Sequence, residues 1–318
     1  MLARVYVYKR STGDKIPTSI RANESLITMM VKRARAKLAD STDFQQLAEL
    51  LEISDQPRPE NKLAFVGDKR LFYGPKNSTE HQAALAYAQI GRSRIAMGPP
   101  IGPRSSWISA IEAFRADTTQ SGFRPVIYAV PPDLLPELVG LGFNVEKIGE
   151  NGIIELPDFN LSGRKREVIL RSRCKLTERQ GASFEICVPP HSSQLIDDLR
   201  RVSEAWLKAN GGRERGFSIG RFKPQFLDYC PLGLVRINGK ITAFVSLLTT
   251  DDKAWAAIDL MRYDPEPALT NIMDFLLVEL VLWAKASGYL KFDLAMAPYR
   301  GLLHDESVSA YALSLIHI

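Results

Sequence analysis

The chain has 318 residues, of which 45% are hydrophobic and 24% charged, enough apolar material for one large or two medium cores and too much for a disordered protein. Basic residues outnumber acidic ones by 41 to 36, giving a net charge of +5 and a pI near 9.0, a mild excess that suits an anionic partner without requiring one. Three widely spaced cysteines (Cys174, Cys187, Cys230) do not form a disulfide framework, and four histidines out of metal-ligand spacing with them indicate no metal site. The longest apolar run, Phe275 to Ala284, contains Glu279 and is too short to cross a bilayer, and the first ten residues lack the apolar stretch of a signal peptide.

In chain order, the first sixty residues read as a helical lead-in, with a basic segment Ser25 to Ala39 and an amphipathic one Phe44 to Ile53 ahead of Pro57 and Pro59. Lys62 to Tyr73 reads as two short strands around a Gly67-Asp68 turn, with Asp68-Lys69 in the hairpin turn. Strands are expected at Ala84 to Ile90 and Arg94 to Met97, then the Gly98-Pro99-Pro100 break. A helix around Trp107, Ile111 and Phe114 follows and stops at Ser121-Gly122. Strand Val126 to Val130, helix Asp133 to Leu141, strand Asn144 to Ile148 and a closing piece Ile153 to Leu156 complete an α/β unit. A boundary near Pro157 to Ser162 divides the chain into residues 1–160 and 161–318.

The second half repeats the theme. Expected elements are helix Arg164 to Gln180, strand Phe184 to Val188, and a helix Ser193 to Ala209 that buries Leu195, Leu199, Val202 and Trp206 and ends at Asn210-Gly211-Gly212. Leu232 to Ile237 and Ile241 to Leu248 flank Asn238-Gly239, whose residues tolerate the positive φ angles of a type I′ hairpin turn. Strand Ala254 to Met261, the nearly all-apolar helix Ile272 to Ala286 and strand Leu290 to Ala295 close the pattern.

The run from Leu232 to Ala295 resembles the core of a GCN5-related N-acetyltransferase fold, and Val126 to Ile148 resembles the end of a similar unit, so tandem units of that type are expected. An acetyltransferase needs backbone N–H groups to cradle a coenzyme pyrophosphate before the long helix. The segment there, Asp264 to Thr270, has no glycine, two prolines and two acids, which disfavours acetyl-CoA as donor.

Five segments are similar to the catalytic region of the phosphatidylglycerol lysyl- and alanyltransferases, the multiple peptide resistance factor family. They are Leu63 to Leu71, Met97 to Pro103, Arg215 to Gly220 (Arg-Gly-Phe-Ser-Ile-Gly), Ile258 to Arg262 (Ile-Asp-Leu-Met-Arg) and Phe292 to Pro298 (Phe-Asp-Leu-Ala-Met-Ala-Pro), joined by Met273-Asp274. The similarity covers about residues 45–302. It implies aminoacyl-tRNA as donor, phosphatidylglycerol as acceptor, no cofactor, and work at the cytoplasmic face of a bacterial membrane, an anionic surface. Family members are commonly preceded by a membrane flippase region, which is not expected within these 318 residues. They also continue past the Met-Ala-Pro segment, which implies a second unit cut short. The family's Gly-Asp-Pro turn stands here as Gly98-Pro99-Pro100.

Asp259 and Arg262 match positions that the resemblance links to binding and activating the aminoacyl group: Asp259 for the α-ammonium or proton transfer, Arg262 for the ester or a phosphate. Residues three apart on a regular strand face opposite sides, so a shared site requires a bulge or strand end near Met261. A structural ion pair is the alternative. Asp274 either caps the long helix or touches substrate, and Asp293 is either functional or structurally paired on an apolar strand. Arg215, Gly216 and Ser218 are substrate-binding by resemblance and a plain turn otherwise. Arg164, Arg171, Lys175 and Arg179 align on one helical face that suits tRNA or lipid phosphates, or water, and Val31 to Lys37 has a similar character. A peptidoglycan-precursor aminoacyltransferase and a non-catalytic lipid- or tRNA-binding relative are the competing functions.

Overall fold

The structure, a computed structural model, describes residues 2–8, 41–76, 82–161, 181–266 and 271–298. The expected Ser25–Ala39 and Arg164–Gln180 helices, the Val31–Lys37 segment, Cys174 and the Pro267–Thr270 part of the loop lie outside those residues. The chain divides into two compact units, one of residues 1–152, 216–218 and 296–318, the other of residues 153–215 and 219–295.

In the first unit, α1 (Ser41–Glu52) precedes a 3-10 helix (Pro59–Val66), β2 (Arg70–Tyr73), β3 (Ala84–Ile90) and β4 (Ser93–Met97). Helix α2 (Trp107–Gln120), β5 (Arg124–Val130), the short α3 (Leu135–Gly140) and β6 (Asn144–Glu155) follow. The sheet order is β2-β3-β4-β5-β1-β6. Strands β4 and β5 run parallel because α2 carries the chain back between them. Trp107, Ile111 and Phe114 on α2 pack with Leu134, Leu138 and Phe143 into one apolar cluster against the sheet.

Two expectations are corrected here. The chain begins with a strand rather than a helical lead-in: β1 (Leu2–Tyr8) pairs antiparallel with both β5 and β6. Its Val- and Tyr-rich stretch suits a strand, but only two partners over a hundred residues away select that state. Nor does Lys62–Tyr73 form a hairpin. Pro59 presets the first turn of the 3-10 helix, Asn61 Oδ1 accepts the Arg58 N–H at 2.9 Å, and burial of Leu63, Ala64, Phe65 and Val66 holds it until Gly67 ends it at φ 69°. Asp68 and Lys69, expected in a turn, are buried instead.

The second unit contains β7 (Ala182–Cys187), α4 (Ser193–Ala209), α5 (Pro224–Leu227), β8 (Leu232–Ile237), β9 (Lys240–Thr249), β10 (Trp255–Tyr263), α6 (Ile272–Ala286) and, up to Ala295, β11 (Lys291–Pro298). Its strand order is β11-β10-β9-β8-β7. Helix α4 is capped by Ser192, whose Oγ accepts the Leu195 N–H. The β8–β9 turn has φ of 49° at Asn238 and 81° at Gly239, the geometry the Asn-Gly pair predicts. Strands β10 and β11 are parallel around α6, as β4 and β5 are around α2. The repeat extends to a detail: Ala129 on β5 and Ala295 on β11 both take a positive φ, 61° and 70°.

Each face of this second sheet carries its own core. Phe275, Leu276, Leu280 and Ala284 of α6 pack with Val245, Leu247, Ala256 and Phe292 on one side. Ile196, Leu199 and Val202 of α4 pack with Leu232, Phe244 and Leu260 on the other. The buried stripe of α4 is Ile196, Leu199, Val202 and Ser203; Leu195 and Trp206, expected inside, are only partly buried.

Candidate active site

Strand β10 carries a bulge. Ile258 opposes Leu247 and Met261 opposes Val245, so Asp259 and Leu260 together face the single residue Ser246 of β9. The extra residue resets the alternation. Leu260 joins the α4-side core, and Arg262 reaches Ser203 and Trp206 on α4. Asp259 bonds to Ser246, which shares the α4 side with Phe244 by strand alternation. The irregularity needed for Asp259 and Arg262 to share a face is therefore present, within the stretch between Ile258 and Met261.

Ser246 fills the bulge. Fully buried, its Oγ donates to Asp259 Oδ2 at 3.2 Å and accepts the Leu260 N–H at 3.0 Å. The other carboxylate oxygen, Asp259 Oδ1, accepts the backbone N–H of Gly220 at 2.7 Å. A Cβ at Gly220 would stand 2.0 Å from Asp259 Oδ2 and 2.7 Å from Phe226 Cε1, so only glycine can present its amide this closely. Asp259 itself is half-buried, on a face where two protein donors fix its orientation.

Arg262 is 4% exposed. One terminal nitrogen donates to Ser203 Oγ at 3.1 Å and the other to Glu214 Oε2 at 2.8 Å, while the guanidinium lies 4.7 Å from the Trp206 ring centre. Its ion pair is with Glu214, not Asp259. Just beyond Glu214, Arg215 is exposed and its carbonyl accepts from Arg221 Nε at 3.1 Å.

Gly216 and Phe217 are buried and Ser218 is half-buried; these three residues belong to the first unit. There Phe217, at φ 70°, donates its N–H to Asp68 Oδ2 at 3.0 Å. Lys69 Nζ donates to Asp68 Oδ1 at 2.7 Å and to the Leu63 carbonyl at 3.0 Å. The Lys69 ammonium also lies 5.7 Å from the Phe217 ring centre.

Asp274 is exposed in the first turn of α6, the helix on the opposite face of the second sheet from α4. Asp293 is 5% exposed on β11, where its Oδ1 accepts the N–H of Ala295 at 2.8 Å and supports that residue's positive φ. Asp264 is paired with Arg201 at 2.8 Å and accepts the Glu266 N–H. Arg164, Arg171, Lys175 and Arg179 lie outside the described residues. Among the described residues no His, Cys, Asp and Glu cluster has metal-binding geometry, and no helix is long and apolar enough to cross a membrane. Cys230 is buried and Cys187 half-buried, both as free thiols, and burial pushes the Cys187 thiol up.

Sequence reasoning missed Ser246, Glu214, Ser203, Trp206 and the structural part of Gly220. A single hydroxyl inside the apolar run Ala243 to Leu248 was the only available signal for Ser246.

Two parallel strand–helix–strand crossovers, one in each unit, with an oriented carboxylate on the bulge of the strand before the second crossover helix, define an α/β protein built from two similar halves. The sequence profile described as "Phosphatidylglycerol lysyltransferase, C-terminal" matches residues 48–317, and the chain belongs to that family. It is 31% identical over 275 residues to a phosphatidylglycerol lysyltransferase of Bacillus subtilis (strain 168), covering 86% of this chain and 31% of the relative. Against that of Staphylococcus aureus (strain MRSA252) it is 34% identical over 236 residues, 74% of this chain and 27% of the relative. The chain thus spans under a third of the length of these relatives. The structure of L-PGS from Bacillus licheniformis superposes with a TM-score of 0.76 at 28% identity, covering 89% of this chain and 86% of that one. FemX shares the fold at a TM-score of 0.53 and 11% identity, with 88% and 92% covered.

Proposed function

We propose that this domain moves an aminoacyl group, lysyl or alanyl, from aminoacyl-tRNA onto the glycerol headgroup of phosphatidylglycerol at an anionic membrane surface. Family membership supports the reaction class, and the fixed orientation of Asp259 between the Gly220 N–H and the Ser246 hydroxyl is the observation that carries it. An ionised carboxylate is an acceptor-only group. Orienting it with internal donors presets an acceptor for the α-ammonium of the aminoacyl ester.

The ester is already activated, so the chemistry is a transesterification. A headgroup hydroxyl oxygen bonds to the ester carbonyl carbon, the bond from that carbon to the tRNA ribose oxygen breaks, and the hydroxyl proton ends on the ribose oxygen. The protein's part is to hold the ammonium, align the two reactants and exclude water. Asp259 does the first. Arg215, Gly216 and Ser218 are proposed to contact substrate, and Arg164, Arg171, Lys175 and Arg179 to meet tRNA or lipid phosphates.

The test incubates the chain, and the product of its complete gene, with labelled lysyl-tRNA or alanyl-tRNA and phosphatidylglycerol vesicles. Labelled aminoacyl-phosphatidylglycerol is expected with one of the two, and Asp259→Asn is expected to lose it. No labelled lipid from either version with either tRNA would refute the reading, and label on a peptidoglycan precursor would replace the acceptor.

A further inference from the structure

Arg262 carries a charge that the resemblance assigns to substrate, yet its guanidinium is spent inside the protein. We propose that Arg262 is a positioning residue, one of two anchors by which the β10 bulge holds the segment Glu214–Gly220 at its first and last residues, with Glu214, Ser203 and Trp206 as its partners. The segment starts at Glu214, bound by Arg262 at 2.8 Å, and ends at Gly220, whose N–H is bound by Asp259 at 2.7 Å. Between the anchors the Arg215 carbonyl is tied to Arg221 Nε at 3.1 Å. The gripping side chains stand on one face of one strand only because of the bulge between Ile258 and Met261.

First, Arg262 is 4% exposed, with both terminal nitrogens and its flat face engaged by Ser203, Glu214 and Trp206. Second, turning it toward a phosphate would break its bonds to Glu214 and Ser203 and leave the buried Ser203 hydroxyl without that donor. Third, Ser203 is itself 2% exposed on α4, so this end of the clasp is attached to a packed helix rather than to another loop. Arg262 then acts on Asp259 indirectly: by fixing where the segment begins, it limits where the Gly220 N–H can sit, and that N–H orients the carboxylate.

The activity half of the test rests on the proposed function; the exchange half does not. Glu214→Gln, Ser203→Ala and Arg262→Lys are made in the full chain, and native-state amide hydrogen exchange is followed at Gly220, with the β9 amides of Phe244 and Val245 as internal reference. Each change removes or weakens a charge-assisted bond, so Gly220 exchange is expected to quicken by about tenfold or more for Glu214→Gln and Arg262→Lys while β9 stays protected. Ser203→Ala is expected to act in the same direction with a smaller amplitude, which keeps the test usable if the Arg262 variant loosens the whole unit.

In the transfer assay, Glu214→Gln and Arg262→Lys are expected to lower kcat by similar factors with little change in KM, and the double variant to be no worse than either alone. Unchanged Gly220 exchange in Glu214→Gln overturns the clasp. So does a wild-type kcat in Glu214→Gln beside a raised KM for charged tRNA or lipid in Arg262→Lys, because that pattern makes Arg262 a substrate ligand. If the wild type transfers nothing, the transferase reading fails while the exchange rates still decide the clasp.

Discussion

Gly220 offers its backbone N–H to Asp259 Oδ1 at 2.7 Å, in a space that leaves no room for a side chain. The carboxylate is therefore placed by an amide that only this residue type can bring so near. A methyl group at this position would overlap Asp259 Oδ2 at 2.0 Å and press Phe226 at 2.7 Å. Gly220→Ala is expected to fold, with a stability loss of about 1–3 kcal/mol from overpacking. Transfer should fall by about 100-fold because the carboxylate must turn away. Thermal unfolding and the vesicle assay check the two halves separately. An active, fully stable alanine variant would mean that Asp259 can be oriented without this contact.

Ser246 serves both residues of the bulge, donating to Asp259 and accepting from Leu260 N. Ser246→Ala leaves the buried Leu260 N–H without that acceptor, at a cost of about 1–3 kcal/mol. Activity is expected to drop through kcat, since Asp259 loses one of its orienting donors. Urea unfolding gives the first number and steady-state kinetics the second. A neutral result in both would show that the bulge is held by its ladder bonds alone.

In the first unit, Lys69 supplies the countercharge for Asp68 in a site where the lysine side chain is fully buried. Lys69→Met removes that charge and keeps most of the side chain's apolar length, so a loss of about 3–5 kcal/mol is expected. Replacing both members, as Asp68→Asn with Lys69→Met, should cost less than the lysine change alone, because the buried Asp68 carboxylate no longer faces a neutral side chain. Equilibrium denaturation of the wild type and the two variants provides the comparison. A double variant less stable than Lys69→Met would contradict the account.

Glu137 lies in the first turn of α3. The hydrogen bond to its backbone amide, and then the Arg104 side chain, hold its carboxyl below the usual range, against an opposing effect of burial. A folded-state value below the unfolded one means that the unfolded chain binds more protons in that window. The stabilisation is thus complete above the unfolded carboxylate value near pH 4, and is lost as pH falls through the lower folded value. Glu137→Gln is expected to narrow the stability gap to the wild type as the pH is lowered below about 4, and added salt should shrink it at neutral pH because the side chain is 36% exposed. Urea midpoints measured against pH at two ionic strengths would show this. A gap that widens on acidification would mean that the folded carboxyl titrates above the unfolded one.

Much of the secondary structure follows from neighbours in the chain. Apolar spacing placed α6 at Ile272–Ala286 and α4 at Ser193–Ala209, and the Asn238-Gly239 pair placed the β8–β9 turn, because helix periodicity and positive φ are properties of a few adjacent residues. The segments around Asp259 and Arg215 pointed to the family, and the profile over residues 48–317 agrees. The misread parts share a cause. Strand β1 exists through pairing with β5 and β6 at the far end of its unit, and the 3-10 helix at Pro59–Val66 through the burial of its apolar residues; neither is visible in a local window.

The candidate site divides in the same way. Sequence alone supplied Asp259 and Arg262 and the condition that an irregular strand must unite them. Only the tertiary structure decided that Asp259 and Leu260 share one partner, Ser246, and that Arg262 spends its charge on Glu214. Strand register and buried ion pairs are settled by contacts between segments distant in sequence, where desolvation and packing outweigh anything a residue's immediate neighbours impose.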